Sequence, residues 1–248
     1  MPDFIVSVRG LEEARRAFAG GADLLDLKEP ANGPLGQPAL PQVRETIQGM
    51  PREAKLSLAC GELVAGPRLP RLGPLADRLS FAKVGCAEID SLADWRRRFL
   101  DFRQQLPPGV EAVPAAYADF SRARGPSPGQ LLTVANEVGA KGILVDTFCK
   151  RTGSLFEIMR DQALTEFVEH ATQLGLWVAL AGSLRPKDLG SNVLLRCRYV
   201  AMRGAVCAGG RESEICTDKV VRIAQRLRSY QPNECDVKVQ NSTRATRA

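Results

Sequence analysis

Asp26 and Lys28 are the residues in this chain whose types and spacing most directly suggest chemistry. They lie in Leu24-Leu25-Asp26-Leu27-Lys28-Glu29-Pro30, an apolar run that ends at a turn. A buried parallel strand is an almost unbroken apolar segment. Side chains two apart leave the same face of a strand, so the carboxylate and the amine share a side. A lysine buried at a strand end is costly unless it is paired or has a task. A desolvated lysine beside other charges can lose its proton and attack a carbonyl. The competing reading is a structural ion pair, since such networks also perturb pKa values.

The pattern recurs. Phe81-Ala82-Lys83-Val84-Gly85 carries a lysine in a second apolar segment. Gly142-Ile143-Leu144-Val145-Asp146 ends on an aspartate, with Lys150 four residues on. Charged residues repeated at equivalent strand ends point to one shared pocket. Lysines and carboxylates gathered there suggest Schiff-base chemistry with proton transfers around it.

Eight β-like runs place these residues: Phe4–Val8, Leu24–Lys28, Leu56–Cys60, Phe81–Val84, Ala112–Tyr117, Ile143–Asp146, Trp177–Ala181 and Tyr199–Met202. Segments of helical period lie between them. Leu92, Trp95, Phe99, Phe102 and Leu106 form one apolar stripe, and Leu164, Phe167, Val168, Ala171 and Leu174 another. His170 falls on the polar side of the second. Alternating strands and helices over 248 residues match a single (β/α)8 TIM barrel of the α/β class. An open doubly wound sheet is the alternative, but Val8-Arg9-Gly10-Leu11 is not its Gly-rich turn.

In a barrel, strand ends share one mouth. Asp26, Lys28, Lys83, Asp146 and Lys150 are therefore the candidate catalytic set. Ala181-Gly182-Ser183 follows strand seven, and Arg203-Gly204-Ala205 follows strand eight. Barrels bind phosphate there, through backbone N–H groups and a helix N-terminus. Gly182, Ser183, Arg203 and Gly204 are thus candidate phosphate-binding residues, with turn punctuation by glycine as the plainer alternative. Tyr117 and Asp119 could line the same mouth, or Asp119 could cap the next helix. Cys60, Cys86, Cys149 and Cys207 read as small packing residues.

Composition narrows the classes. No run of about 18 apolar residues exists, which argues against a membrane helix. Seven scattered cysteines without a CxxC pair suggest reduced thiols in a cytoplasmic protein. One histidine and no clustered cysteines make a zinc site unexpected. The formal net charge of +6 fits an anionic small substrate and leaves a non-catalytic RNA-binding barrel as a weaker reading, with no nucleic-acid partner expected. The segment 231–248 is polar and aperiodic and is expected to be a disordered tail after a catalytic domain over 1–230. A homo-oligomer is left open.

Taken in order, Gly20-Gly21-Ala22-Asp23, Asp26-Leu27-Lys28-Glu29-Pro30, Gly33-Pro34-Leu35-Gly36, Lys83-Val84-Gly85, Tyr117-Ala118-Asp119, Asp146-Thr147 with Lys150, Ala179-Leu180-Ala181-Gly182-Ser183 and Arg203-Gly204-Ala205 resemble the (5-formylfuran-3-yl)methyl phosphate synthases. The resemblance runs from about residue 4 to 228. It implies a barrel related to class I aldolases and a carbon–oxygen lyase acting on phosphates. Two glyceraldehyde 3-phosphate molecules would condense, with loss of water and one phosphate, to 4-(hydroxymethyl)-2-furancarboxaldehyde phosphate, a precursor of methanofuran-type carriers. It implies Lys28 as the Schiff-base lysine and Lys83 as a proton acceptor. Asp26, Asp146 and Lys150 match further active-site positions, and no metal or organic cofactor is implied. A different Schiff-base phosphosugar aldolase or isomerase would use the same lysines. The chain departs from the family pattern at Ala59-Cys60-Gly61-Glu62 and at Arg151-Thr152-Gly153-Ser154.

Overall fold

The computed structural model describes residues 1–67, 69 and 71–229; the expected tail at 231–248 lies outside them. Eight strands close into one parallel barrel in chain order: β1 Asp3–Val8, β2 Leu24–Leu27, β3 Leu56–Glu62, β4 Leu79–Gly85, β5 Glu111–Tyr117, β6 Gly142–Asp146, β7 Trp177–Leu180 and β8 Tyr199–Met202. Every neighbouring pair is parallel, including the closure of β1 on β8. Each expected strand is present, with ends shifted by a residue or two. Lys28 lies one residue past β2, yet its N–H still donates to Val8 O at 2.9 Å.

The helices are α1 Leu11–Ala19, α2 Leu40–Gly49, α3 Leu92–Arg103, α4 Phe120–Ala123, α5 Pro128–Glu137, α6 Leu155–Ile158, α7 Asp161–Gln173 and α8 Thr217–Ser229. The expected stripes face the barrel. Trp95, Phe99 and Phe102 of α3 are buried, as are Leu164, Phe167, Val168 and Ala171 of α7, while His170 is exposed. Two apolar layers result. One lies between the strands and the helices. The other fills the barrel's lower interior with Ile5, Leu24, Phe81, Val113 and Leu144, closed by Trp177 and Tyr199.

Strand β3 runs two residues further than its apolar pattern suggests. Its register against β4 shifts between Ala59 and Glu62, and Gly61 there has φ +85°. A bulge of this kind bends a strand and re-aims the next side chain. Here it turns Glu62 onto Ala87 N–H at 2.9 Å and onto Tyr117 Oη at 2.5 Å.

Candidate active site

Period two on three strands brings the charged set together. Leu24, Asp26 and Lys28 share a face of the second strand, Phe81 and Lys83 one of the fourth, and Leu144 and Asp146 one of the sixth. The barrel closes these faces inward, and a cavity of about 540 Å³ opens at the carboxyl ends of the strands. All nine candidate residues line it: Asp26, Lys28, Lys83, Asp146, Lys150, Gly182, Ser183, Arg203 and Gly204.

Two carboxylates organise the lysines. Asp26 takes Lys83 Nζ at 2.6 Å. It also accepts from Ser7 Oγ at 3.1 Å and Ser57 Oγ at 2.8 Å. Register explains those two hydroxyls, because Ser7 and Ser57 are the direct cross-strand neighbours of Asp26 on either side. Asp146 sits between the other two amines. Lys28 Nζ lies 3.7 Å from one of its oxygens, and Lys150 forms a short ion pair with the other. Thr147 N–H holds that second oxygen at 2.7 Å.

The electrostatics differ between the partners. Burial pushes the Lys28 amine down to about 7; Asp146 opposes the fall, and the nearby Lys150 and Lys83 reinforce it. Burial lowers Lys150 too, against the attraction of Asp146. Burial alone would raise Asp146, yet Lys150 and Lys28 hold it at about 2. One carboxylate cannot neutralise two ammonium groups in a dry site. The more distant amine, Lys28, is the one relieved by losing its proton.

Three expectations change in the structure. Tyr117 does not line the mouth: it is fully buried and donates to Glu62. Asp119 neither lines the mouth nor caps α4 with its side chain; its oxygens accept from Phe148 N–H at 2.6 Å and Cys149 N–H at 2.9 Å, tying the loop after β5 to the loop after β6. Arg203 reaches the cavity wall, but its guanidinium turns inward. It grips Glu13 at 2.7 and 3.1 Å and the carbonyls of Ser7, Arg211 and Ser213. A glutamate on α1 claims those donors, which sequence spacing could not foresee.

The loops after β7 and β8 keep backbone at the mouth. Gly182 has φ +98°, and a Cβ there would sit 2.8 Å from Thr147 Cγ2, so glycine is required. Gly204 opens a short turn over Gly204–Val206, and a Cβ would meet only Arg211 Cβ at 3.6 Å. Short turns stand where a longer helix N-terminus was expected. Among the cysteines, burial drives Cys60 and Cys86 up to about 12, as suits packing residues. Cys149 is the exception: it is half-buried, and the Arg151 N–H lowers its thiol.

Sequence reasoning passed over Glu62, Ser7, Ser57 and Arg211. Reading β3 two residues longer would have reached Glu62. The serines carry the same period-two signal as Asp26. Burial raises the Glu62 carboxyl, against the hydrogen bonds from Tyr117 and Ala87. Among the described residues, no cluster of three or more His, Cys, Asp or Glu is placed to hold a metal ion. Seven lysine and arginine side chains line the cavity against three carboxylates, which favours an anionic ligand.

The family model described as 4-HFC-P synthase matches residues 4–224, from β1 into α8. The chain belongs to that family. Its relatives named (5-formylfuran-3-yl)methyl phosphate synthase include one from Methanosarcina acetivorans, 32% identical over 88% of this chain and 96% of its own. Another, from Methanothermobacter thermautotrophicus, is 30% identical over 91% of this chain and 99% of its own. These are enzymes by name. Solved structures share the barrel. Phosphoribosyl anthranilate isomerase from Thermotoga maritima has a TM-score of 0.62 at 14% identity, covering 93% of this chain and all of that one. The isomerase from Thermus thermophilus reaches 0.59 at 19%, with the same coverage. At such identities the likeness concerns the fold. Among the described residues of this 4-HFC-P synthase family member, no helix is long and apolar enough to cross a membrane.

Proposed function

We propose that the chain joins two molecules of glyceraldehyde 3-phosphate into 4-(hydroxymethyl)-2-furancarboxaldehyde phosphate through a Schiff base on Lys28. The observation that carries this reading is a buried amine brought down to about 7, beside Asp146, in a cation-lined cavity. The names of the relatives point to the same product.

The atoms balance. Two three-carbon aldehyde phosphates, less one phosphate and two waters, give the six-carbon furan aldehyde phosphate. The neutral Lys28 amine adds to the aldehyde carbon of one triose, and the carbonyl oxygen leaves as water. Lys150, paired with Asp146, supplies the proton that water needs. Loss of a proton from the carbon beside the iminium gives an enamine, which expels its phosphate; the terminal carbon so freed then joins the carbonyl carbon of the second triose in its ketone form. Lys83, anchored on Asp26, is the group assigned to proton exchange at the carbons beside the carbonyls, including the shift that gives that ketone. Ring closure, two dehydrations and hydrolysis of the imine release product and free Lys28. The cations around the cavity screen the two phosphates through these steps, and the product would supply a methanofuran-type carrier.

The test is direct. Pure protein incubated with glyceraldehyde 3-phosphate alone should develop a furan chromophore, and borohydride should fix the triose to Lys28. Trapping pentose phosphates but no triose would favour another Schiff-base phosphosugar enzyme. An adduct on Lys150 would move the nucleophile within the same mechanism.

A further inference from the structure

The cations lining the cavity divide sharply by partner. Lys83 is held by Asp26, Lys28 and Lys150 share Asp146, Arg185 pairs with Glu157 at 2.7 Å, and Arg203 is bound to Glu13. Arg151 is exposed. Arg211 differs from all of these. It is half-buried on the cavity wall, and among the described residues its guanidinium has no hydrogen-bond or ion-pair partner. Burial works most against its charge, and Asp146, its strongest attraction, forms no ion pair with it among the described residues. A planar fork of donors left unpaired in a half-dry site is matched by a phosphate or carboxylate arriving from solvent.

Its backbone is held in place. Arg203 Nε donates to Arg211 O at 2.6 Å, and Arg203 Nη2 to Ser213 O at 3.2 Å. An antiparallel bridge between Cys207 and Ile215 closes the base of the same loop. The buried Arg203–Glu13 pair thus acts as a bracket that presents Arg211 to the cavity, which gives Arg203 a positioning role.

We propose that Arg211 is the side chain that receives the phosphate of a substrate triose, gripping it through two guanidinium N–H groups while the carbonyl stands at Lys28. The proposal rests on the triose phosphate reading of the site. Phosphate is favoured over carboxylate because the lining has four more cations than anions, and a phosphate ester brings close to two negative charges at once.

Glycerol 3-phosphate carries the phosphate without a carbonyl, so its binding is independent of imine formation. Calorimetry on the full chain should show Arg211→Gln weakening its binding by about ten- to a hundredfold, the usual effect of losing hydrogen bonds to a charged group. KM for glyceraldehyde 3-phosphate should rise by a similar factor with kcat changed far less, as expected when a contact remote from the reacting bonds is removed. Arg211→Lys should recover part of the loss, because it keeps the charge and not the fork. Thermal stability should match wild type in both variants, since no internal partner is removed. Wild-type affinity for glycerol 3-phosphate in a folded Arg211→Gln protein would overturn the proposal, as would a wild-type protein that does not bind this ligand. A wild type that forms furan while Arg211→Gln keeps its KM sinks the Arg211 assignment alone. If wild type forms neither furan nor adduct but loses glycerol 3-phosphate binding on Arg211→Gln, the failure belongs to the proposed reaction.

Discussion

The lower and upper halves of the barrel interior stand on the same strands with the same inward alternation, and they differ in chemistry. Below, Phe81, Trp177 and Tyr199 interlock with ring centroids 5.1 to 5.8 Å apart, over Ile5, Leu24, Val113 and Leu144. Above, two residues further along, Leu24 gives way to Asp26, Phe81 to Lys83, Leu144 to Asp146 and Ala201 to Arg203. Two residues of strand span about 6.6 Å. One such step carries the interior from a packed apolar plug to a site holding three lysines. The plug fixes the strands, and the rigid strands bury the Lys28 amine with Lys150 and Lys83 close enough to lower it further.

The largest effect should come from Lys28→Arg. It retains a cation but cannot form an imine, so turnover and borohydride trapping should vanish while the melting temperature at or below pH 7 stays close to wild type. An active Lys28→Arg enzyme would take the covalent step away from Lys28. The amine also sets a pH dependence. In wild type, kcat/KM should climb as pH rises through about 7, where neutral Lys28 appears in the free enzyme.

The stability linkage has a definite sign. Above about 7 the folded Lys28 has lost its proton, whereas the unfolded chain keeps one up to near 10.5. The unfolded state then binds more protons, so wild-type stability gains from this group as pH rises across that window. Lys28→Met, which lacks the penalty of the buried charge, should show its largest advantage below pH 7 and a shrinking one toward pH 10. Denaturant melts at several pH values would reveal it, and a pH-independent difference would contradict the low amine pKa.

Phe81→Ala strikes the lower half. It should destabilise the fold by about 3–5 kcal/mol, as loss of a buried phenylalanine does. Trapping of triose per folded molecule should persist; its loss in still-folded protein would mean that plug and site are not separable. The glycines at the mouth sharpen the contrast on a smaller scale. Gly182→Val forces a branched residue to φ +98° against Thr147 and should cost about 1–3 kcal/mol, whereas Gly204→Val meets only ordinary contact and should leave stability unchanged. Equal melting temperatures for the pair would contradict the strain at residue 182. The smallest effect is that of Tyr117→Phe. Removing the hydroxyl from Glu62 should cost about 1–2 kcal/mol, and the double variant Tyr117→Phe with Glu62→Gln should show the coupling.

Local periodicity determined much of this molecule. Strand runs such as Leu24–Lys28 and stripes such as Trp95, Phe99 and Phe102 depend on neighbours two, three or four residues away, so the barrel and the inward faces of Asp26, Lys28, Lys83 and Asp146 were legible in the chain. Partnership was not, because it depends on which strands meet and at what register. Barrel closure brought Glu13 to Arg203 across 190 positions and Glu62 to Tyr117 across 55. The first turned an expected phosphate ligand into a bracket, and the second drew a tyrosine away from the mouth. Register set Ser7 and Ser57 on either side of Asp26 and left Asp146 between two amines. An amine's proton affinity depends on burial and on charges a few ångströms away, and those distances exist only once the barrel has closed.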